Sequence, residues 1–302
     1  MISIVIPVLN EEKCIKNNVK EIIKYIEEDY EFIIVDDGST DNTWNEIKSL
    51  SEKNNKIIGV RFSRNFGKES ALMAGLAHAK GDAVITMDSD LQHPPEYIPD
   101  LIMKWKEGYK VVETRKEKRL KESFFYKISS GAFYKTLKRL SGLDMANSCD
   151  YKLLDRDVVK NILEFKEGQL FFRGIVDWVG FDKCFIDIKI KEREIGKSKF
   201  KFSSLLRLAL NAITSFSSSL LYITAFLGAI FFIAAIILGI QTIINKFMGI
   251  ALEGFTTIIL LLLIIGSLIM FCLAIIGVYV GKIYEESKRR PQYIVSDICR
   301  KD

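Results

Sequence analysis

Histidine is nearly missing from this 302-residue chain. Its two copies, His78 and His93, are too few to build a histidine-based metal centre. Cysteine occurs five times, at positions 14, 149, 184, 272 and 299, without the paired spacing of a zinc site or a disulfide framework. The thiols therefore fit a reducing compartment. Asp, Glu, Lys and Arg are absent from two runs, Leu220–Ile244 and Phe255–Val280. Each is about 25 residues long, enough to cross the roughly 30 Å hydrocarbon core of a bilayer with some tilt. Two such runs argue against a helical hairpin buried in a soluble core. The N-terminal apolar run is short, lacks a basic leader and passes straight into Asn10-Glu11-Glu12, so no signal peptide is expected. Internal repeats and low-complexity tracts are absent as well.

Charge is present around those runs and sets an orientation. Lys197, Lys199, Lys201 and Arg207 precede the first, and Lys282, Lys288, Arg289 and Arg290 follow the second. The connector Asn245–Gly254 holds only Lys246 and Glu253. Positive charge stays on the cytoplasmic side, which places both termini and the large N-terminal region in the cytoplasm. The expected organisation is a globular domain over 1–200, a juxtamembrane helix over 201–218, an anchor over 219–283 with two transmembrane helices, and a cytoplasmic tail over 284–302. Ser203–Phe216 has apolar residues at helical spacing (Leu205, Leu206, Leu208, Leu210, Ile213) and reads as a helix in the headgroup plane. A plain extension of the first span is the alternative. The net charge of +5 hides a local excess, about a dozen Lys and Arg against about four acids between Lys104 and Arg139. No nucleic-acid partner is expected.

The first 90 residues alternate apolar runs and amphipathic segments. Ile2–Val8, Phe32–Val35, Ile57–Phe62 and Ala83–Met87 read as buried strands. Glu11–Glu28, a segment beginning near Asp41, and Lys68–Ala79 read as helices. The pattern predicts an α/β fold with a mostly parallel sheet and right-handed crossovers. Acidic residues follow three of the strands: Glu11 and Glu12, then Asp36 and Asp37, then Asp88 and Asp90. Strand ends of an open parallel sheet are where ligands bind. Helix capping explains any one of these groups, but not all three along one edge. The Asp88-Ser89-Asp90 pair supplies hard oxygen donors suited to Mg2+ or Mn2+ and, with them, to a phosphate-bearing ligand. Further along, Phe124–Leu140 reads as a basic, aromatic-rich helix and Phe181–Ile190 as a strand.

Seven stretches in order (IPVLNEE, VDDGSTDNT, RFSRNFGKESALMAGL, MDSDLQHPPE, CDYKLLDRDVV, FFRGIVDWVGF and REIGKSKFKF) are spread over essentially the whole span of residues 1–202. On these, the chain resembles the family-2, GT-A-fold glycosyltransferases, and within them the polyprenyl-phosphate glycosyltransferase branch. The resemblance implies a Rossmann-like GT-A domain that moves a sugar, with inversion, from a nucleotide-sugar donor, expected to be a UDP-sugar, to a polyprenyl phosphate such as undecaprenyl phosphate. It places Pro7, Leu9 and Glu11 on base and ribose, Asp36 and Asp37 on uracil or ribose, and Lys68, Ser89 and Gln92 in the donor site. Asp90 is implied as ligand to Mg2+ or Mn2+, with Asp88 beside it on metal or ribose. His93 stands where related sequences often have Asp and receives no role.

Asp150 matches the acidic residue usually treated as the catalytic base. A phosphate monoester with a second pKa near ~6 is already largely dianionic at pH 7, so orientation and electrostatics are expected of Asp150 more than proton removal. A loop acid that caps Tyr151–Asp155 or pairs with a lysine is the plainer reading. Arg115 is the best match to the family's acceptor-phosphate arginine, with Arg119, Lys121, Arg173, Arg193 and Lys199 also implied on that side. A basic face touching anionic lipid heads competes for Lys116, Lys118 and Lys121. Trp178 reads either as part of the acceptor side or as plain core. A homo-oligomer, dimer or tetramer, is implied, with the segment after Arg290 as a contact. Two other readings compete with this one. A processive polysaccharide synthase lacks its Gln-x-x-Arg-Trp motif here, and an inactive scaffold would not need Asp88, Asp90 and Asp150.

Overall fold

The structure, a computed structural model, describes residues 1–116, 148–165, 171–189, 219–248 and 254–301. Strands β1 (Ile2–Val8), β2 (Tyr30–Asp36), β3 (Ile57–Phe62) and β4 (Ala83–Thr86) are buried along almost their whole length. Strands covered on both faces are apolar throughout instead of alternating, as these sequences are. Helices α1 (Ile15–Ile23), α2 (Thr43–Lys53) and α3 (Lys68–His78) connect them. β1 lies parallel to β2 and β4, and β2 parallel to β3, a pairing that requires crossover connections. Helix α1 starts later than its pattern predicts. The Glu11 and Glu12 amides are already taken by Thr43 Oγ1 at 2.8 Å and Asp41 Oδ2 at 3.3 Å, which holds residues 11–14 in a loop.

A 3-10 turn at Pro95–Tyr97 leads into α4 (Ile98–Lys106) and β5 (Val111–Lys116). Then come β6 (Ser148–Asp155), α5 (Arg156–Leu163), α6 (Phe172–Trp178) and β7 (Lys183–Ile188). β6 runs antiparallel to both β4 and β5, and β5 runs parallel to β7. A last strand, β8 (Val295–Cys299), pairs antiparallel with β3 of the same chain. The described strands form one mixed, mostly parallel sheet in the order β7-β5-β6-β4-β1-β2-β3-β8. Because β4 and β5 both oppose β6, the carboxyl ends of β1 to β5 and the amino end of β6 meet along one edge. Asp150 therefore lies on a strand, not in a loop. The charges in Ser148–Asp155 mask its strand character in the sequence.

The chain divides into two compact units, residues 1–139, 143–201 and 290–302 in the first and 140–142 and 202–289 in the second. The first unit holds the sheet, with Phe32, Phe62, Tyr151 and Phe172 among its fully buried side chains. In the second, α7 (Ser219–Phe247) and α8 (Phe255–Ser287) lie against each other. Phe226, Phe232, Leu262 and Met270 are each about two-thirds exposed. Helices apolar on all sides with such exposure suit a hydrocarbon environment rather than water. Ile264–Ser287 is long and apolar enough to cross a membrane, and α7 contributes a shorter apolar stretch, Phe226–Leu238. The expected basic helix at 124–140 and the juxtamembrane helix at 203–216 lie outside the described residues.

Candidate active site

The loops after β1 and β2 are joined by hydrogen bonds between polar side chains and backbone. Asn10 N donates to Ser39 Oγ at 2.9 Å, Thr40 N to Asn10 Oδ1 at 2.9 Å, and Asn42 N to Glu12 Oε2 at 3.0 Å. Asn10 adopts a left-handed backbone (φ 55°), which Asn tolerates better than most residues because its short side chain bonds locally. Gly38 is required (φ 71°): a Cβ there would collide with the backbone of Arg64 and Asn65. Asp37 accepts the amides of Phe66 at 2.7 Å and Gly67 at 3.0 Å, which fixes the entry to α3. Burial raises the Asp37 carboxyl above its usual range, against the pull of those two amides.

These loops and the end of β4 enclose a cleft of about 360 Å³, within the size range of small-molecule sites. Pro7, Leu9, Glu11 and Asp37 line it from β1 and β2; Asn65 and Lys68 from the α3 entry; Asp88, Ser89 and Asp90 from β4. Eight of the expected donor and metal residues thus come together. Asp36 and Gln92 do not line the cleft. Asp36 is fully buried, accepts the Ser39 amide at 2.9 Å and faces Arg61 Nε at 3.4 Å. One carboxylate oxygen thus builds the turn after β2. The backbone after Asp90 is strained, since Leu91 has φ 53°, and a non-glycine residue there costs about 1–3 kcal/mol. Asn18 Nδ2 steadies the segment from α1 by donating to Ser89 O at 2.6 Å.

Asp88 and Asp90 offer hard carboxylate oxygens. Gln92 Nε2 and His93 Nδ1 sit beside them, buried and without a hydrogen-bond partner among the described residues. No three His, Cys, Asp or Glu side chains converge as a metal cage among the described residues. One or two carboxylates completed by substrate phosphate is a usual Mg2+ arrangement, so this pair fits a Mg2+ or Mn2+ ion that arrives with a diphosphate. Burial lowers the His93 pKa despite the nearby Asp88 and Asp90, so the ring is neutral at pH 7. Near Glu11, burial and the hydrogen bond to its carboxylate push the Cys14 thiol up to about 12.

Across the cleft stands Asp150. Thr86 Oγ1 donates to its carbonyl at 2.6 Å, tying β6 to the end of β4. Arg173, on α6, reaches the carboxylate with Nε at 2.6 Å and Nη2 at 2.9 Å, a bidentate geometry specific to guanidinium. Lys68 Nζ lies 2.7 Å from Asp150 Oδ2 and 2.5 Å from Asp88 Oδ1. Burial alone would raise the Asp150 carboxyl, but Arg173 and then Lys68 outweigh it and hold the group well below the usual carboxylate range. Burial likewise opposes the charged forms of Arg173 and Lys68, and their carboxylate partners keep both charged. Glu69, given no role in the sequence, accepts the Phe172 amide at 2.8 Å and so seats α6 behind Arg173. Burial and the charge of Asp150 raise its carboxyl.

The remaining acceptor-side expectations divide. Arg115 sits at the shared edge, half exposed, paired with Asp187 at 2.7 and 3.2 Å and lying over Phe185. Arg173 lies on Asp150 rather than in open solvent. Arg119, Lys121, Arg193 and Lys199 lie outside the described residues. Trp178 is about two-thirds exposed, packed edge-on against Phe165, and is not core.

This architecture, a mixed, mostly parallel sheet with its acidic side chains gathered at the strand ends, is a GT-A-like α/β fold. Glucosyl-3-phosphoglycerate synthase from Mycobacterium tuberculosis shares the fold, with a TM-score of 0.51 at 21% identity over 71% of this chain and 78% of that one. Its complex with Mn2+, UDP and phosphoglyceric acid gives 0.50 at 20% identity over 71% and 76%. Residues 3–163 match the family described as Glycosyl transferase family 2, and the chain belongs to that family. The bactoprenol glucosyl transferase of Shigella phage SfV is 36% identical, covering 98% of each chain. The prophage bactoprenol glucosyl transferase homolog of Escherichia coli (strain K12) is also 36% identical, over 98% of this chain and 99% of its own.

Proposed function

We propose that the protein transfers a sugar, with inversion, from a nucleotide-diphosphate sugar to a polyprenyl phosphate at the cytoplasmic face of a membrane. The observation that carries this reading is the placement of Asp88 and Asp90 opposite the Asp150–Arg173 pair, with Lys68 reaching across. The near full-length likeness to bactoprenol glucosyl transferases supports a lipid phosphate as acceptor, and the apolar helix Ile264–Ser287 supports a membrane setting. The proposed anchor is α7 and α8 as two spans, both termini in the cytoplasm. Uridine is the proposed base, after the UDP-bound structure of the same fold.

The chemistry requires stabilising a departing nucleoside diphosphate and aligning an acceptor oxygen for in-line attack. Asp88 and Asp90 would hold Mg2+ or Mn2+, which when bound neutralises charge on the diphosphate as a Lewis acid. Pro7, Leu9, Glu11 and Asp37 form the wall for base and ribose, and Asn10 keeps that wall rigid through Thr40. Asp150, held ionised by Arg173, makes a poor proton acceptor. It fits a fixed charge that orients the reacting groups, the acceptor phosphate being already dianionic at pH 7. Arg115 is the proposed phosphate cation, exchanging Asp187 for phosphate oxygens.

A donor panel tests the reading. Purified full-length protein is given Mn2+ or Mg2+, undecaprenyl phosphate and, in turn, UDP-glucose, UDP-galactose, UDP-N-acetylglucosamine and GDP-mannose. One donor is expected to yield a chloroform-extractable sugar product that Asp90→Ala abolishes. Transfer to water alone, or equal product from Asp90→Ala, would overturn it. Light scattering with and without residues 291–302 tests the proposed homo-oligomer.

A further inference from the structure

Asp88 follows β4 and Asp150 lies on β6; the two serve different halves of the proposed reaction, yet they share one cation. Lys68 Nζ is 2.5 Å from Asp88 Oδ1 and 2.7 Å from Asp150 Oδ2. Asp150 has a second cation in Arg173, bound through both carboxylate oxygens. Among the described residues Asp88 has no comparable substitute, since His93 Nδ1 stands 3.9 Å from its other oxygen, beyond hydrogen-bond reach. The backbone around Lys68 is fixed: Gly67 and Phe66 amides are held by Asp37, and the neighbouring Glu69 is bonded to the Phe172 amide. The ammonium therefore moves by rotation of its own side chain, with little help from the backbone.

We infer that Lys68 is an internal counter-cation that makes metal binding depend on the donor diphosphate. The inference rests on the reading of the cleft as a donor site. A divalent cation and the ammonium compete for the same oxygen of Asp88, and two cations on one carboxylate repel. A bare metal ion is therefore disfavoured. A diphosphate changes the balance, because its oxygens accept both the metal and the displaced ammonium. Lys68 leaves Asp88 without losing Asp150, and metal and nucleotide each raise the affinity of the other by the same factor. The arrangement also joins the two sides of the cleft: any change at Asp150 alters how strongly Lys68 leans on Asp88.

The test is Mn2+ binding to the full-length protein, read from the free-ion signal in electron paramagnetic resonance, with and without UDP. In the wild type, UDP is expected to tighten Mn2+ by tenfold or more. Lys68→Met and Lys68→Gln are each expected to tighten Mn2+ alone several-fold and to reduce the UDP-dependent gain by about tenfold; Lys68→Arg is expected to keep both wild-type values. Asp150→Asn should weaken Mn2+ alone in the wild-type background and leave it unchanged in Lys68→Met. Thermal melts confirm that each variant is folded, and Lys68→Gln serves if Lys68→Met is not. Unchanged or weaker binding of Mn2+ alone in both neutral variants overturns the inference. So does an Asp150→Asn effect of equal size in both backgrounds, which marks a general charge effect. A wild type that binds no Mn2+ even with UDP overturns the metal reading of Asp88 and Asp90 together with it, whereas Mn2+ binding with unmoved coupling overturns the role of Lys68 alone.

Discussion

In the parallel half of the sheet, β1 to β4, the site side chains are held largely by backbone amides of neighbouring turns. Asp37 takes Phe66 and Gly67, and Asn10 takes Thr40. In the antiparallel half, built around β6, which opposes both β4 and β5, the site is held by charge. Asp150 answers to Arg173 and Lys68, and the fully buried Lys152 pairs with Glu113 at 3.2 Å in the next strand. Amides come with any chain and need only the right turn, so the first arrangement is local and inexpensive in side-chain order. Ion pairs need two particular residues brought together from far apart, and removing one leaves a stranded charge. The parallel half should therefore degrade gradually under substitution and the antiparallel half abruptly.

The largest expected effect is at Asp150. Asp150→Asn should lower kcat about 10³-fold while donor affinity, measured by isothermal titration of UDP-sugar, stays within a few-fold. Near-normal turnover with donor affinity intact would remove Asp150 from the chemistry. The same variant has a pH signature in stability. The folded-state pKa of Asp150 lies below its unfolded value, so its contribution is present above the unfolded pKa of ~3.9 and is lost as pH falls through the folded value. The gap in unfolding free energy between wild type and variant should be flat from about pH 8 to 5 and narrow below about pH 4. A gap centred near pH 6 would mean that another group is responsible.

Next in size is the buried pair between strands. Lys152→Met alone should destabilise by about 3–5 kcal/mol in chemical denaturation. Adding Glu113→Leu should recover most of it, because two apolar side chains replace two charges. A double variant as unstable as the single one would show that the pair does more than neutralise itself. The smallest effect is expected in the parallel half. Asn10→Ala loses the Thr40 bond and places Ala in a left-handed backbone, costing about 1–2 kcal/mol. Asn10→Gly keeps the backbone freedom and should cost about half of that. If Asn10→Ala proves worse than Lys152→Met, the contrast between the halves fails.

The same division explains how much was legible in the sequence. β1 to β4 carry unbroken apolar runs, and β3 falls on its expected Ile57–Phe62. The acidic groups after β1, β2 and β4 do gather at one edge, as their positions at strand ends require. Asp36 and Asp37 are not told apart by sequence: Asp37 lines the cleft whereas Asp36 is buried beneath the turn, a difference that two adjacent identical residues do not announce. β6 was hidden by Asp150, Lys152 and Asp155, polar residues whose partners lie on other elements and leave no local pattern. Lys68 sat in a recognised stretch, but its bridge spans 82 residues to Asp150, and nothing in one segment announces such a distance. Glu69 was missed for the same reason, since the amide it holds belongs to Phe172.

The pairing of β8 with β3 bears on how the chain is made. A ribosome releases β3 early, with one side of it unpaired, and supplies its neighbour only after α7 and α8 have been synthesised. Ser63 N bonds to Ile294 O, Tyr293 stacks on Phe62 at 5.0 Å, and Asp297 pairs with Lys48, so the late segment closes over a surface completed long before. Until then the catalytic unit carries an open strand edge, the kind of surface that recruits other strands. Chains halted before residue 295 should show fast hydrogen exchange at the β3 amides and a tendency to aggregate. Completion of the enzyme is thereby tied to completion of its apolar helices, and an unfinished polypeptide advertises itself by the edge it cannot cover.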